Sequence, residues 1–180
     1  MELQTHYQEA ISFAAEKHAD QKIPGTRSSY LLHLSNVAME VIIASWHTEG
    51  FDVSMAVQTA LLHDVLEDTP TDIEDLRQQF GPVVTDAVQS LTKNEALPLE
   101  EQIPDSLERI RLQPKEVWAV KLADRISNMQ KPPSHWDREK KMAYLEMAKV
   151  ILDQLKGGNA YLEKRLEQKI LQYPQFLDQD

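Results

Sequence analysis

The chain is predicted to be all-α. Three observations carry this. Apolar residues recur at three- and four-residue spacings in segment after segment. No stretch alternates over five residues with β-branched enrichment. Pro, Gly, Ser, Asp and Asn punctuate the periodic segments where helices start and stop. Residues 3–19 place Leu3, Tyr7, Ala10, Ile11, Ala14 and Ala15 on one face. Residues 20–29 are polar around Pro24-Gly25 and read as a loop. A second helix is expected over 30–48, ahead of Gly50, and a third over 53–68. Thr71 with Glu74 forms a capping box for a short helix over 72–80 that Gly81 closes. Pro82 then opens a helix over 82–92. Residues 93–104 read as an exposed acidic loop. Pro104 and Pro114 open helices over about 105–112 and 115–130, and Pro132-Pro133 ends the second. Ser134 or Asp137 caps a long helix to about 156, which Gly157-Gly158 stops. Asn159 caps the last helix and Pro174 ends it. No internal repeat or domain boundary is apparent, so residues 1–180 are expected to form one domain.

Composition narrows the function classes. The 180 residues carry 19 Lys and Arg against 29 Asp and Glu, a net charge of −10, and no Cys. Disulfide scaffolds, thiolate metal sites and Cys nucleophiles are excluded. The acidic balance speaks against a broad basic face for a nucleic acid polymer. No apolar run approaches the roughly 20 residues of a membrane span, and Glu40 breaks the longest candidate, Val37 to Trp46. The start carries acid and Gln where a signal peptide needs a basic then an apolar stretch. A cytoplasmic protein without membrane contact is expected. A homo-oligomer is compatible with the sequence.

Four side chains stand out as metal ligands: His33, the pair His63-Asp64, and Asp124. Each lies on a predicted helix with an apolar flank, Ala60-Leu61-Leu62 for the pair and Val120 to Ala123 for Asp124. A carboxylate among Leu and Ala costs free energy unless something pairs with it. A metal ion is one partner and an Arg another. Arg125, however, follows Asp124 directly and points about 100° away around the helix. Glu67 lies four residues after His63, and Asp68 four after Asp64, so a continuous helix stacks each acid over a ligand. Lys121, Asp124 and Asn128 form one stripe, and Tyr30 stands one turn before His33. Two imidazoles and two carboxylates suit Mn²⁺, with Fe²⁺, Mg²⁺, Co²⁺ or Zn²⁺ as other occupants. The other histidines, His6, His18, His47 and His135, read as surface or packing residues. Trp46, Trp118 and Trp136 read as core or half-buried.

The order His33…His63-Asp64…Asp124 resembles the HD superfamily of metal-dependent phosphohydrolases. HDVLEDT at 63–69 is similar to the HDxxED motif of the hydrolase domain of RelA/SpoT-type proteins, and KLADRISN at 121–128 to its KLADRxxN. The likeness spans about residues 7–155. It leaves no room for the synthetase or regulatory domains of the long members, which points to a stand-alone small alarmone hydrolase of the Mesh type. The resemblance implies an HD-domain fold of about eight helices around a metal centre, with one Mn²⁺ per chain. It implies release of the 3′-pyrophosphate of (p)ppGpp, leaving GDP or GTP, in a stringent-response setting. By position, His33, His63, Asp64 and Asp124 are the metal ligands, and Glu67 and Asp68 the catalytic acids. Lys22, Arg27, Tyr30, Thr92, Lys93, Lys121, Asn128 and Tyr144 are the substrate-binding candidates.

The chain departs from the family around the first ligand. Ser29-Tyr30 replaces Pro-Tyr, Leu34 replaces the Pro after the ligand His, and only Lys22 and Arg27 remain of a basic cluster. These changes leave (p)ppApp open beside (p)ppGpp. Two other readings stand beside this one. An HD nucleotidase acting on (deoxy)nucleoside monophosphates is opposed by KLADRxxN. A nucleotide-binding regulatory domain without turnover is opposed by the intact Glu67-Asp68.

Overall fold

A computed structural model describes residues 2–178. The described residues form helices joined by short loops and no strand; a lone antiparallel bridge pairs Lys22 with Ser29. The helices are α1 (Leu3–Lys17), α2 (Leu31–Ser45), α3 (Val53–Leu62), α4 (Val65–Asp68), α5 (Ile73–Leu91), α6 (Leu99–Arg111), α7 (Lys115–Asn128), α8 (Arg138–Gln154) and α9 (Ala160–Gln172), followed by a 3-10 turn over Tyr173–Phe176. The all-α expectation is met. Among the described residues no helix is long and apolar enough to cross a membrane.

The core is centred on α2, α3 and α7, which pack on one another. Helix α1 covers α3, α9 lies against α7 and α8, and α5 joins α3 to α6. Leu34, Val37 and Val41 of α2, Ala60 to Leu62 of α3, and Val120, Leu122 and Ala123 of α7 are fully buried. Burying such side chains contributes roughly 1.5–3 kcal/mol each for the larger ones. The segments that carry the candidate ligands are thus fully buried on their apolar flanks, which fixes the backbones that aim the polar side chains. Arg165 of α9 and Glu40 of α2 add an ion pair across the fold.

Several boundaries differ from the sequence reading, each for a local reason. The helix expected over 53–68 breaks at His63-Asp64. Asp64 adopts φ −103° and ψ −1°, the bridge region where many active-site residues sit. Helix α4 is then a separate single turn. The expected loop 93–104 is shorter, because α6 starts at Leu99 behind Pro98 and takes Pro104 into its interior. Pro104 leaves the Glu100 carbonyl without its helical donor, on a face where both residues are exposed to water. Asp72, not Thr71, caps α5 by accepting from the Glu74 amide at 2.7 Å; Thr71 shares its hydroxyl with Thr69. Of the two candidate caps of α8, Asp137 is the one used, accepting from the Lys140 amide. Asn159 caps α9 as expected. Gly81, at φ 76° and ψ 170°, splits α5 into two limbs on either side of the Gly81-Pro82 junction. The positive φ is open to Gly and strained for other residues.

Candidate metal centre

The break at His63-Asp64 builds the site. His63 closes α3 with its Nδ1 bound to the Ala60 carbonyl at 2.8 Å. A carbonyl only accepts, so Nδ1 carries the proton and Nε2 turns its lone pair inward. His33 of α2 rests its Nδ1 on Ser127 Oγ of α7 at 3.1 Å, which likewise aims Nε2 at the same point. The two Nε2 atoms lie 3.4 Å apart. Asp64 Oδ2 stands 3.0 Å from His63 Nε2 and 3.7 Å from His33 Nε2. Asp124 Oδ1 stands 3.5 Å from His33 Nε2 and 3.7 Å from His63 Nε2. Four elements of the fold therefore bring four predicted ligands to one centre.

These residues fit a divalent cation. Ligands about 2.1 Å from one ion, set 90–120° apart, are roughly 3.0–3.6 Å from one another. The separations of 3.0–3.7 Å match that range to within about 0.1 Å. His33, His63 and Asp64 place their ligand atoms within 4.8 Å of one another. The two Nε2 atoms, 3.4 Å apart, face a common point that either the His63 proton or a cation must occupy. With His63 neutral, the four carboxylates (Asp64, Glu67, Asp68 and Asp124) and the ammonium groups of Lys93 and Lys121 leave two negative charges, which a divalent ion cancels.

The surrounding bonds hold the carboxylates. Tyr30 donates its hydroxyl to Asp64 Oδ2 at 2.5 Å, and burial together with the Asp64 charge raises the phenol far above its usual range. Lys121 Nζ donates to Asp124 Oδ2 at 3.0 Å and Asn128 Nδ2 to Oδ1 at 2.6 Å. The stripe read from the sequence is therefore real, but it grips Asp124. Arg125 does not serve Asp124; its guanidinium lies 4.5 Å from the centre of the Tyr144 ring. Glu67 accepts from both the backbone amide and the ammonium of Lys93. Asp68 accepts from Gln21 Nε2 at 2.8 Å, and burial lifts its pKa despite that bond. The i, i+4 stacking expected of Glu67 and Asp68 is corrected by the break. Asp68 keeps the i, i+4 link, its amide bonding the Asp64 carbonyl at 2.8 Å, while the Glu67 amide bonds that same carbonyl at 3.2 Å and its carboxylate is aimed by Lys93.

A cleft of about 540 Å³ opens beside the centre, lined among others by His33, Asn36, Asn128, Trp136, Tyr144 and Tyr173. Burial pushes the Tyr144 phenol up to about 12. Gly25, at φ +77°, brings the 20–29 loop so close to Pro133 that a Cβ there would lie 3.0 Å from the Pro133 Cβ; this contact forms one wall. Lys22 and Arg27 are exposed on that loop, outside the lining. Thr92 turns its hydroxyl to the Val88 carbonyl and gives its own carbonyl to Arg109. Trp46, expected to be core or half-buried, is 73% exposed; His18 is packed at 1% exposure and belongs to a bonded chain that ends at Asp68. No spacing signal marks the His18 link, because it runs through Gln21 in the turn after α1 to an acid 47 residues further on.

The electrostatics set the pH behaviour. Burial pulls the His63 imidazolium down, but the charges of Asp64 and Asp124 and the bonds to them outweigh it and hold its pKa well above 6.5. Burial and the neighbouring His63 charge lower His33. Burial opposes ionisation of Asp124 and Asp64, yet Lys121 and His63 keep the first well below the carboxylate range, and His63 keeps the second low. A metal must therefore displace the His63 proton. Apparent metal affinity is expected to rise with pH through neutrality, by up to about tenfold per unit. Calorimetry in buffers of different ionisation enthalpy would count that proton; an affinity independent of pH would contradict it. In metal-free protein the His63 contribution to stability is complete below about pH 6.5 and is lost as pH rises through the higher folded value. The aspartate contributions are present above about pH 3.9 and are lost as pH falls through their depressed values.

Comparison with known proteins places the chain. An HD domain model matches residues 10–151. The chain belongs to the HD domain family. Within it, the chain is 34% identical over 169 residues to the zebrafish (Danio rerio) protein named guanosine-3′,5′-bis(diphosphate) 3′-pyrophosphohydrolase MESH1, covering 91% of this chain and 92% of that one. The human (Homo sapiens) protein of the same name is 32% identical over 171 residues, covering 88% and 89%. A solved structure of a metazoan ortholog of SpoT that hydrolyzes ppGpp superposes with a TM-score of 0.82 at 30% identity, over 93% of this chain and 94% of that chain.

Proposed function

We propose that the chain is an alarmone 3′-pyrophosphohydrolase that converts (p)ppGpp to GDP or GTP and pyrophosphate, with Mn²⁺ as its ion, one per chain. The observation that carries this is the convergence of His33, His63, Asp64 and Asp124 with two further acids one turn on. It sits in a chain related nearly end to end to proteins named for that reaction. In this reading the four converging residues hold the ion. A divalent ion held there supplies Lewis-acid polarisation and draws the pKa of a water toward about 7.

The chain's own residues do the rest. Glu67 and Asp68 orient the attacking water and take its proton; as the water oxygen bonds the 3′ phosphorus, the bond from that phosphorus to the 3′ oxygen breaks and the proton passes to the 3′ oxygen of the departing GDP or GTP. Lys93, held against Glu67, faces the pyrophosphate that leaves. The cleft beside His33 receives the nucleoside against Tyr144, with Asn128 at its inner edge. Tyr30 and Lys121 act through the aspartates they touch. Thr92 shapes the turn that presents Lys93, and Lys22 with Arg27 meets the outer phosphates. Because those two cations lie outside the cleft lining, (p)ppApp is the second substrate to test. The whole chain acts as one catalytic unit in the cytoplasm.

The test is a product assay. Purified protein is incubated with ppGpp and with ppApp, with Mn²⁺ or with chelator, and the products are separated by anion exchange. Mn²⁺-dependent release of pyrophosphate is expected. Orthophosphate from a nucleoside monophosphate supplied in parallel, with no pyrophosphate from either alarmone, would favour the nucleotidase reading.

The net charge of −10 also makes a prediction. Exposed charges beyond about 8 Å are largely screened at physiological salt, while local repulsion slows capture of a polyanion at low salt. kcat/KM is expected to hold or rise from low to moderate salt. A steep fall would show that basic side chains steer the substrate.

A further inference from the structure

We infer that His18 and Gln21 are positioning residues for Asp68, acting as a relay that fixes the direction of its carboxylate. The inference rests on the role proposed for Asp68. Gln21 Nε2 donates to Asp68 Oδ2 at 2.8 Å, and Gln21 Oε1 lies 2.5 Å from His18 Nδ1. A carboxylate only accepts, so the amide must turn its nitrogen to Asp68 and its oxygen to His18. His18 Nδ1 must then be the donor. The other ring nitrogen, Nε2, is buried without a hydrogen-bond partner. An unpaired lone pair there costs less than an unpaired N–H⁺, so the bonds select the neutral Nδ1–H tautomer.

The placement is held from several sides. The Gln21 amide donates to the His18 carbonyl at 3.0 Å, and the Gln21 carbonyl accepts from the Tyr30 amide at 3.0 Å. The His18 ring lies 5.1 Å from the Tyr30 ring, whose hydroxyl holds Asp64. A bond from Gln21 to an exposed acid would ordinarily be exchanged with water. Here the amide cannot rotate freely, because its oxygen is tied to a histidine only 1% exposed. The relay therefore links a fixed point in the core to the one acid of the site that faces solvent. Neither His18 nor Gln21 lines the cleft, so loss of the relay should act on the chemical step.

Three variants and one spectrum test this. Gln21→Met keeps the shape and removes both bonds. His18→Leu removes the donor. His18→Asn restores an N–H at nearly the position of Nδ1. Gln21→Met and His18→Leu are expected to lower kcat roughly 10- to 100-fold, the usual effect of removing a residue that orients a site group. KM and bound metal should stay within about twofold, and His18→Asn should recover most of kcat. Full kcat in Gln21→Met, or equal loss in His18→Leu and His18→Asn, would overturn the relay. Long-range ¹H–¹⁵N correlation on histidine-labelled wild type reads the tautomer directly, whatever the protein's activity. An Nδ1–H tautomer that becomes mixed in Gln21→Met is expected; an Nε2–H tautomer would refute the relay even if alarmone turnover stands. Absence of alarmone turnover in wild type with the Nδ1–H tautomer in place would refute the proposed reaction and leave the relay.

Discussion

Asp64→Ala is expected to remove the metal and the hydrolase activity together. Asp64 is the carboxylate nearest the imidazoles, 3.0 Å from His63 Nε2. It also keeps its charge at any physiological pH, because His63 holds its pKa below the usual carboxylate range. Alanine takes away a proposed ligand and a full negative charge from a centre whose remaining candidate donors are the two imidazole nitrogens and Asp124. It also strands the Tyr30 hydroxyl, which now donates to Asp64 at 2.5 Å. Loss of an orienting group around a metal costs roughly 10- to 100-fold, and loss of a ligand should cost more. Metal content by mass spectrometry and kcat should fall in step, and excess Mn²⁺ should restore neither. Full metal content in the variant would mean that the ion sits elsewhere.

Glu67→Gln should separate binding from chemistry. The amide preserves volume and can still accept from the Lys93 backbone amide, which now bonds Glu67 at 3.1 Å. What disappears is the basic oxygen. Metal and nucleotide should bind as before, while kcat falls about 10²- to 10⁴-fold, the range of a general base. Equilibrium binding of ppGpp beside single-turnover rates makes the comparison. An unchanged rate would move the base to Asp68 and leave Glu67 as an anchor for Lys93.

Much of the site was legible in the sequence because it obeys helical spacing. Tyr30 and His33 share a face one turn apart, and their rings lie 5.2 Å from each other. Lys121, Asp124 and Asn128 form the expected stripe and bond as a unit. Acids beside Leu61-Leu62 and Leu122-Ala123 announced a partner, because those flanks are fully buried. What spacing could not give was the break at His63-Asp64. Nothing in Ala60 to Asp68 stops a helix by propensity; tertiary contacts impose the Asp64 conformation. The grip of Lys93 on Glu67 and the His18–Gln21–Asp68 link were hidden for a related reason, since each joins residues 26 or 47 positions apart through loops. Pro104 misled the reading of α6 because a proline on an exposed helix face can leave its missing bond to water.

The most direct test of the account is hydrolysis of ppGpp in ¹⁸O-labelled water with Mn²⁺ bound, followed by mass analysis of both products. If Glu67 and Asp68 deliver water to the phosphorus attached at the 3′ position, one labelled oxygen appears in pyrophosphate and none in GDP. Label in the nucleoside, label in orthophosphate, or turnover that persists undiminished after metal removal would contradict it.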